Sequence, residues 1–183
     1  MASVLLWIAG CGGSTTSALD AGTDGAPAGD AAPDASSTAC PTDDEWDPSW
    51  VALEDDLVAL LNETRAAATD CGAGPVGPVG RLDPYESLRS AARMHARDMA
   101  ENGFVSSSGS DGSTFQERHR RCGYDGNGAQ GADLANDAPT PADALDRWLG
   151  TPTGCALLMD DRFENVGVGY QPSGIWVVGY GEP

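Results

Sequence analysis

The sequence predicts an α+β fold in which helical segments come first and an antiparallel β-hairpin comes last. Two observations carry that expectation. Apolar residues recur at helical spacing behind two helix-start signals, Asp47-Pro48 and Asp83-Pro84-Tyr85-Glu86. Towards the C-terminus the pattern changes to β-rich runs, Val166–Tyr170 and Ile175–Val178, and such segregation favours α+β over alternating βαβ units. At 183 residues the chain holds one domain, or one domain with a tail.

The first segment, residues 1–11, reads as an export leader. Val4–Ile8 is an apolar run too short to span a bilayer, and it runs into Ile8-Ala9-Gly10-Cys11, small residues just ahead of a cysteine. That resembles a bacterial lipobox, in which Cys11 becomes the lipidated terminus, although Met1-Ala2-Ser3 lacks the usual basic residues. Apart from Cys40 and Glu45, residues 12–45 are Gly, Ser, Thr, Ala, Asp and Pro with one large aliphatic residue, Leu19. Such a stretch cannot bury enough apolar area to offset its ordering entropy, and its dispersed acids suit a disordered, self-repelling spacer.

Residues 46–183 carry the folded domain. Behind the Asp47 cap, Trp50, Leu53, Leu57, Leu60/Leu61 and Thr64 line one helical face, which predicts a first helix to about Thr69. A Gly/Pro-rich loop, Gly72–Pro78, separates it from a second helix, whose start reads as a capping box at Asp83 and Glu86. Leu88, Ala91/Ala92, His95 and Met99 form its apolar face, and Gly103 ends it. Thr114-Phe115-Gln116-Glu117 opens a short helix closed by Gly123, and Thr140-Pro141-Ala142-Asp143 opens another that reaches Trp148-Leu149-Gly150. The hairpin turn is Gln171-Pro172-Ser173-Gly174.

Charge narrows the partners. There are 28 acidic residues against 10 basic ones, all of them Arg, for a net charge of −18. That argues against nucleic acid and against an electrostatic hold on anionic lipid, so membrane attachment is expected only through the lipid. With Cys11 assigned to lipid, Cys40, Cys71, Cys122 and Cys155 remain, an even number in an exported chain, so two disulfides are expected. Four cysteines allow three connectivities, and spacing alone leaves all three open.

Several segments together resemble one family: Leu61-Asn62-Glu63-Thr64-Arg65, Ala91–Ala100, Gly103-Phe104, Ser110-Asp111-Gly112-Ser113, Gly123-Tyr124, Trp148, and Arg162-Phe163 through Val166-Gly167-Val168-Gly169. In order and spacing they are similar to the bacterial branch of the CAP superfamily, the cysteine-rich secretory, antigen five and pathogenesis-related one proteins. The resemblance implies an α-β-α sandwich with a small antiparallel sheet between helical layers. It also implies a Cys71–Cys155 disulfide, which leaves Cys40 to pair with Cys122 and clamp the spacer's end onto the domain.

The family's cleft presents two histidines and acidic side chains, a set able to hold a divalent metal and suggested as a hydrolytic site. Carried onto this sequence, the first histidine falls on Ser107, the glutamate on Ala132 beside Asp133, and the second histidine on Gly154. Asp146 lies nearest the second acidic position, but its spacing does not match. Ser, Ala and Gly replace neither imidazole nor carboxylate as bases or firm metal ligands, so no catalytic residue, metal or cofactor is expected. Asp133 is expected to be exposed and ionised.

No other constellation takes over in the sequence. His95 reads as a hydrogen-bonded core residue, and His119, inside Arg118-His119-Arg120-Arg121, as a weak base on a solvated face. Ser106, Ser107 and Ser108 lack a nucleophile elbow. Asp125-Gly126-Asn127 opens like an EF-hand loop whose later positions fail, leaving at most a weak calcium set of Asp125, Asn127, Asp133 and Asp137. The expected function is that of a monomeric, extracytoplasmic CAP-domain protein, lipid-anchored on the bacterial envelope or secreted. It would bind an extracellular ligand or protein without catalysis. A hydrolase of peptide or cell-wall material and a purely structural packing domain are the alternatives weighed against it.

Overall fold

The structure is a computed structural model and describes residues 39–183. The leader with Cys11 and the spacer up to residue 38 lie outside the described residues.

The described part is an α-β-α sandwich. Its central sheet has four strands in the order β3 (Asp83–Pro84), β5 (Asn165–Gln171), β6 (Ile175–Gly181) and β4 (Gln130–Ala135). β3 runs parallel to β5, while β5–β6 and β6–β4 are antiparallel. On one face lie α1 (Pro48–Arg65), α4 (Pro141–Leu149) and α5 (Pro152–Leu158), whose Leu57, Leu61, Trp148 and Leu158 share a core with Val166, Val168, Trp176 and Val178. On the other face α2 (Glu86–Asn102) sets Ala92, Ala96 and Met99 against Ile175 and Val177. The alternation along β6 is what period two requires of a strand buried on both sides.

Two glycines decide how close α2 comes. A Cβ on Gly167 would run into the backbone of Leu88 and Arg89, and one on Gly169 into that of Ala92 and Arg93. The Val-Gly-Val-Gly alternation of β5 therefore makes one face of the strand a bed for a helix backbone and the other a row of core valines.

Buried polar side chains then tie distant loops together. Arg65, fully buried, donates to the carbonyls of Gly80, Leu158, Asp160 and Phe163. Asn62 exchanges hydrogen bonds with both backbone groups of Leu82. Each gives a partner to backbone polar groups of loops far away in the chain, those of Leu82, Leu158 and Phe163 being buried.

Several sequence expectations meet the structure directly. Asp47 caps α1, and Thr114 and Thr140 form capping boxes with Glu117 and Asp143 on α3 (Phe115–Arg121) and α4. Gly103 closes α2 in the left-handed conformation. Others are corrected. The first helix stops at Arg65 rather than Thr69, because Asp70 turns its carboxylate onto the amides of Gly72 and Gly74 and the chain pairs as β1 (Thr69–Asp70) with β2 (Pro75–Val76). Asp83 is not a helix cap: its amide donates to Glu164 O and that of Tyr85 to Val166 O, so sheet bonding draws this segment into β3 and α2 starts at Glu86. Neither β4 nor α5 was foreseen, although Thr151-Pro152 is a legible helix start, with Thr151 capping the amide of Gly154.

The end of the predicted spacer is also corrected, since Cys40–Glu45 pack onto the domain. A Cys40–Cys122 disulfide holds this stretch to the end of α3, Ser90 Oγ donates to Pro41 O, and Asp43–Glu45 form a 3-10 turn in which Asp43 pairs with Arg93. The second disulfide joins Cys71 to Cys155. Both are the pairs that the resemblance implies.

Candidate ligand-binding cleft

The residues carried over from the family motif converge on one cavity of about 70 Å³ between α2, α3 and β4. Ser107, Ala132 and Asp133 line it, together with His95, Phe115, Arg118, Leu134 and Val177. Gly154 stands behind Asp133: a Cβ there would lie 2.8 Å from Asp133 Oδ2 and 2.6 Å from Trp148 O. A larger open groove of about 570 Å³ lies beside Asp55, Asn62 and Arg81, but no imidazole, hydroxyl or thiol lines it. The smaller cavity is the one that the carried-over positions Ser107, Ala132 and Asp133 line, and the one with an imidazole.

His95 supplies its imidazole from the buried face of α2. Its Nε2 lies 2.8 Å from Ser106 O, and since a carbonyl only accepts, Nε2 carries the proton and donates. Nδ1 has no hydrogen-bond partner and lies 3.9 Å from Asp98 Oδ2. Desolvation, assisted by the charge of Arg118, pulls the His95 pKa down to about 4, so the ring is neutral near pH 7. It is a core histidine with one edge on the cavity. No serine hydroxyl is bonded to it among the described residues, so it is not paired as a base to a nucleophile.

His119 corrects the expectation of a solvated face. It is buried on the inner side of α3, with Nδ1 3.0 Å from Gln130 Oε1 and its ring against Gly179 of β6. Its pKa also falls to about 4, with burial as the first cause and neighbouring positive charge a lesser one. Arg118 turns inward as well, at 4% exposure, while Arg120 and Arg121 stay on the outside. The apparent basic cluster is thus split by the helix period between core and solvent.

Asp133 is half-buried rather than exposed. Burial raises its pKa above the usual carboxylate value, partly opposed by the Leu134 amide, which donates to Oδ1 at 2.8 Å. The proposed calcium set does not assemble: Asp125 accepts from Tyr85 OH, Asp137 Oδ2 accepts from Asn136, and Asp133 Oδ2 lies beside Gly154 of α5. Among the described residues no three His, Cys, Asp or Glu side chains gather as a metal site.

The comparisons settle the family. The sequence matches the profile of the cysteine-rich secretory protein family, CAP, over residues 58–180. The chain belongs to the CAP family. Solved structures share the CAP fold at low identity. An extracellular protein containing an SCP domain from Bacillus anthracis matches with a TM-score of 0.67 at 18% identity, over 79% of this chain and 45% of that one. An outer surface protein from Borrelia burgdorferi matches at 0.58 and 18%, over 70% and 90%. A cysteine-rich secretory protein from Staphylococcus aureus matches at 0.57 and 9%, over 74% and 40%. This CAP chain therefore spans less than half the length of the Bacillus and Staphylococcus structures. No curated protein matches it.

Proposed function

We propose that this is an extracytoplasmic, non-enzymatic CAP domain, held to the bacterial envelope by lipid at Cys11 and the acidic spacer, that binds a ligand or protein in its cleft. The observation that carries the reading is the make-up of the 70 Å³ cavity, where Ser107 and Ala132 stand at the positions that the resemblance assigns to the family's histidine and glutamate, and the one imidazole, His95, is committed to Ser106 O. A hydrolytic step needs a base of near-neutral pKa beside the reacting atom, and His95 at about 4 does not supply it. Two disulfides and membership of a secretory family support an oxidising, extracytoplasmic setting.

The test is calorimetric titration with zinc, alongside turnover assays on peptide and peptidoglycan. Neither uptake nor turnover is expected. Micromolar zinc binding abolished by changing His95, or turnover abolished by changing His95 or Asp133, would overturn the reading. Detergent phase partitioning tests the anchor: full-length protein should enter the detergent phase and Cys11→Ser should not.

A further inference from the structure

The cavity between α2, α3 and β4 holds a buried cation without a counter-ion. Arg118, 4% exposed, donates from Nη1 to Ser113 O and from Nη2 to Ser107 O, with Ser113 Oγ a longer contact at 3.4 Å. These acceptors are neutral, and Nε donates to nothing among the described residues. The acids that act on the guanidinium through space, Asp111 and Asp98, stand in a separate recess beside Arg121 and are engaged there. Asp111 pairs with Arg121 and accepts the Ser113 amide, while Asp98 accepts from Ser110 and Asn102. Neither lines the cavity. Burial pulls the Arg118 pKa down to about 10, with Asp111 and Asp98 opposing, and the group stays charged near pH 7.

The rest of the wall is apolar. Ala132 and Leu134 pair with Gly179 and Val177 of β6, so the alternation of strand side chains puts all of them on the sheet face beneath α2 and α3. Phe115 joins them from α3, three residues before Arg118 and on the same side of the helix. Asp133 sends its carboxylate to the opposite face, against Gly154, and puts no negative charge into the cavity. His95 is neutral near pH 7 and adds no positive one. One fixed cation thus faces an apolar surround.

We infer that this cavity binds a free short-chain carboxylate, its oxygens on the guanidinium N–H groups that the loop carbonyls leave unused and its carbon stem against Phe115, Ala132, Leu134 and Val177. A charge in a poorly solvated site is costly until it meets its complement, and the planar donors of a guanidinium suit a carboxylate. Phosphate and sulfate carry oxygens on every side, which apolar walls would strip of water without replacing it. A volume of about 70 Å³ admits about four to six heavy atoms, so acids of about two to four carbons fit. The inference rests on the reading of the cleft as a binding site and names its ligand class.

The experiment is a nuclear magnetic resonance titration of the full chain with propionate at pH 7, following the amides of Ser107 and Leu134. Propionamide, the uncharged isostere, and inorganic phosphate are the controls. Propionate should shift both amides saturably, with either control about tenfold weaker or more. Arg118→Lys keeps the charge but loses the planar donors, and should weaken propionate about tenfold. Because Arg118 also holds two loop carbonyls, a second variant leaves it in place: Ala132→Leu fills the cavity from a half-buried strand position and should weaken propionate about tenfold or more. No saturable shift with propionate, a control that binds as tightly, or an Ala132→Leu variant that binds like the wild type would overturn the inference. Should propionamide move the same amides as strongly, the cleft still binds and only the carboxylate assignment falls. Zinc uptake and turnover are read separately, so failure here is distinct from failure of the non-enzymatic reading.

Discussion

Glu54 and Arg93 form an ion pair at 2.7 Å with neither side chain exposed to solvent. The pair joins α1 to α2, and Glu54 Oε1 also accepts from Trp46 Nε1 and from the Tyr170 amide of β5. Burial pushes the Glu54 carboxyl above its ordinary pKa, with Arg93 pulling the other way. One carboxylate thus ties together two helices, a strand and the start of the folded segment.

Removing it should be costly. Glu54→Ala leaves Arg93 buried without its main partner and orphans two donors, so a loss of about 3–5 kcal/mol is expected in urea unfolding. Replacing both partners, as Glu54→Leu with Arg93→Met, should cost less than the single change by the share owed to the uncompensated Arg93 charge, while Trp46 Nε1 and the Tyr170 amide stay without an acceptor. Equal losses would show that the charge itself is not what matters.

The two disulfides close loops of nearly equal length, with sequence separations of 82 and 84, so chain entropy assigns each a similar effect of about 4 kcal/mol. Packing separates them. Cys155 is fully buried beside Leu158 and Trp148, whereas both Cys40 and Cys122 are partly exposed. The Cys71→Ala/Cys155→Ala variant should therefore melt lower than Cys40→Ala/Cys122→Ala, and the reverse order in calorimetry would contradict this account.

Acid should destabilise the domain through its histidines. His95 and His119 have native pKa values of about 4, against 6.5 unperturbed, so between those limits the unfolded chain binds more protons than the native one. Stability from keeping them neutral is complete above about 6.5 and is lost as pH falls through the window to 4, by up to about 3 kcal/mol for each ring. Urea midpoints should fall from pH 7 to 4.5, and His119→Asn should flatten the slope. A midpoint unchanged across that range would refute the assignment.

Rebuilding the family's metal ligands should fail at Gly154. A Cβ there would stand 2.6 Å from the Trp148 carbonyl, so the obstacle is a backbone contact at the start of α5, not a left-handed backbone angle. Gly154→Ala alone is expected to cost about 1–3 kcal/mol by overpacking. The triple variant Ser107→His, Ala132→Glu, Gly154→His should be less stable than the double variant lacking the third change, as thermal melts would show.

Local chemistry was legible in the residues. The caps at Asp47, Thr114 and Thr140, the stop at Gly103 and the final hairpin each depend on groups only a few positions apart, and such bonds are written in short spacings. The ordered motifs also pointed to the family and, through it, to both disulfides. Tertiary structure decided the rest. Asp83-Pro84 became a strand because β5, 82 positions later, offered hydrogen bonds to its backbone, and β4 exists only as the partner of β6. Burial was decided the same way. Arg118 and His119 look polar and solvated as letters, yet α2, β4 and β6 close over them. Whether a charge meets water depends on surfaces brought together from distant parts of the chain, and no local spacing encodes that.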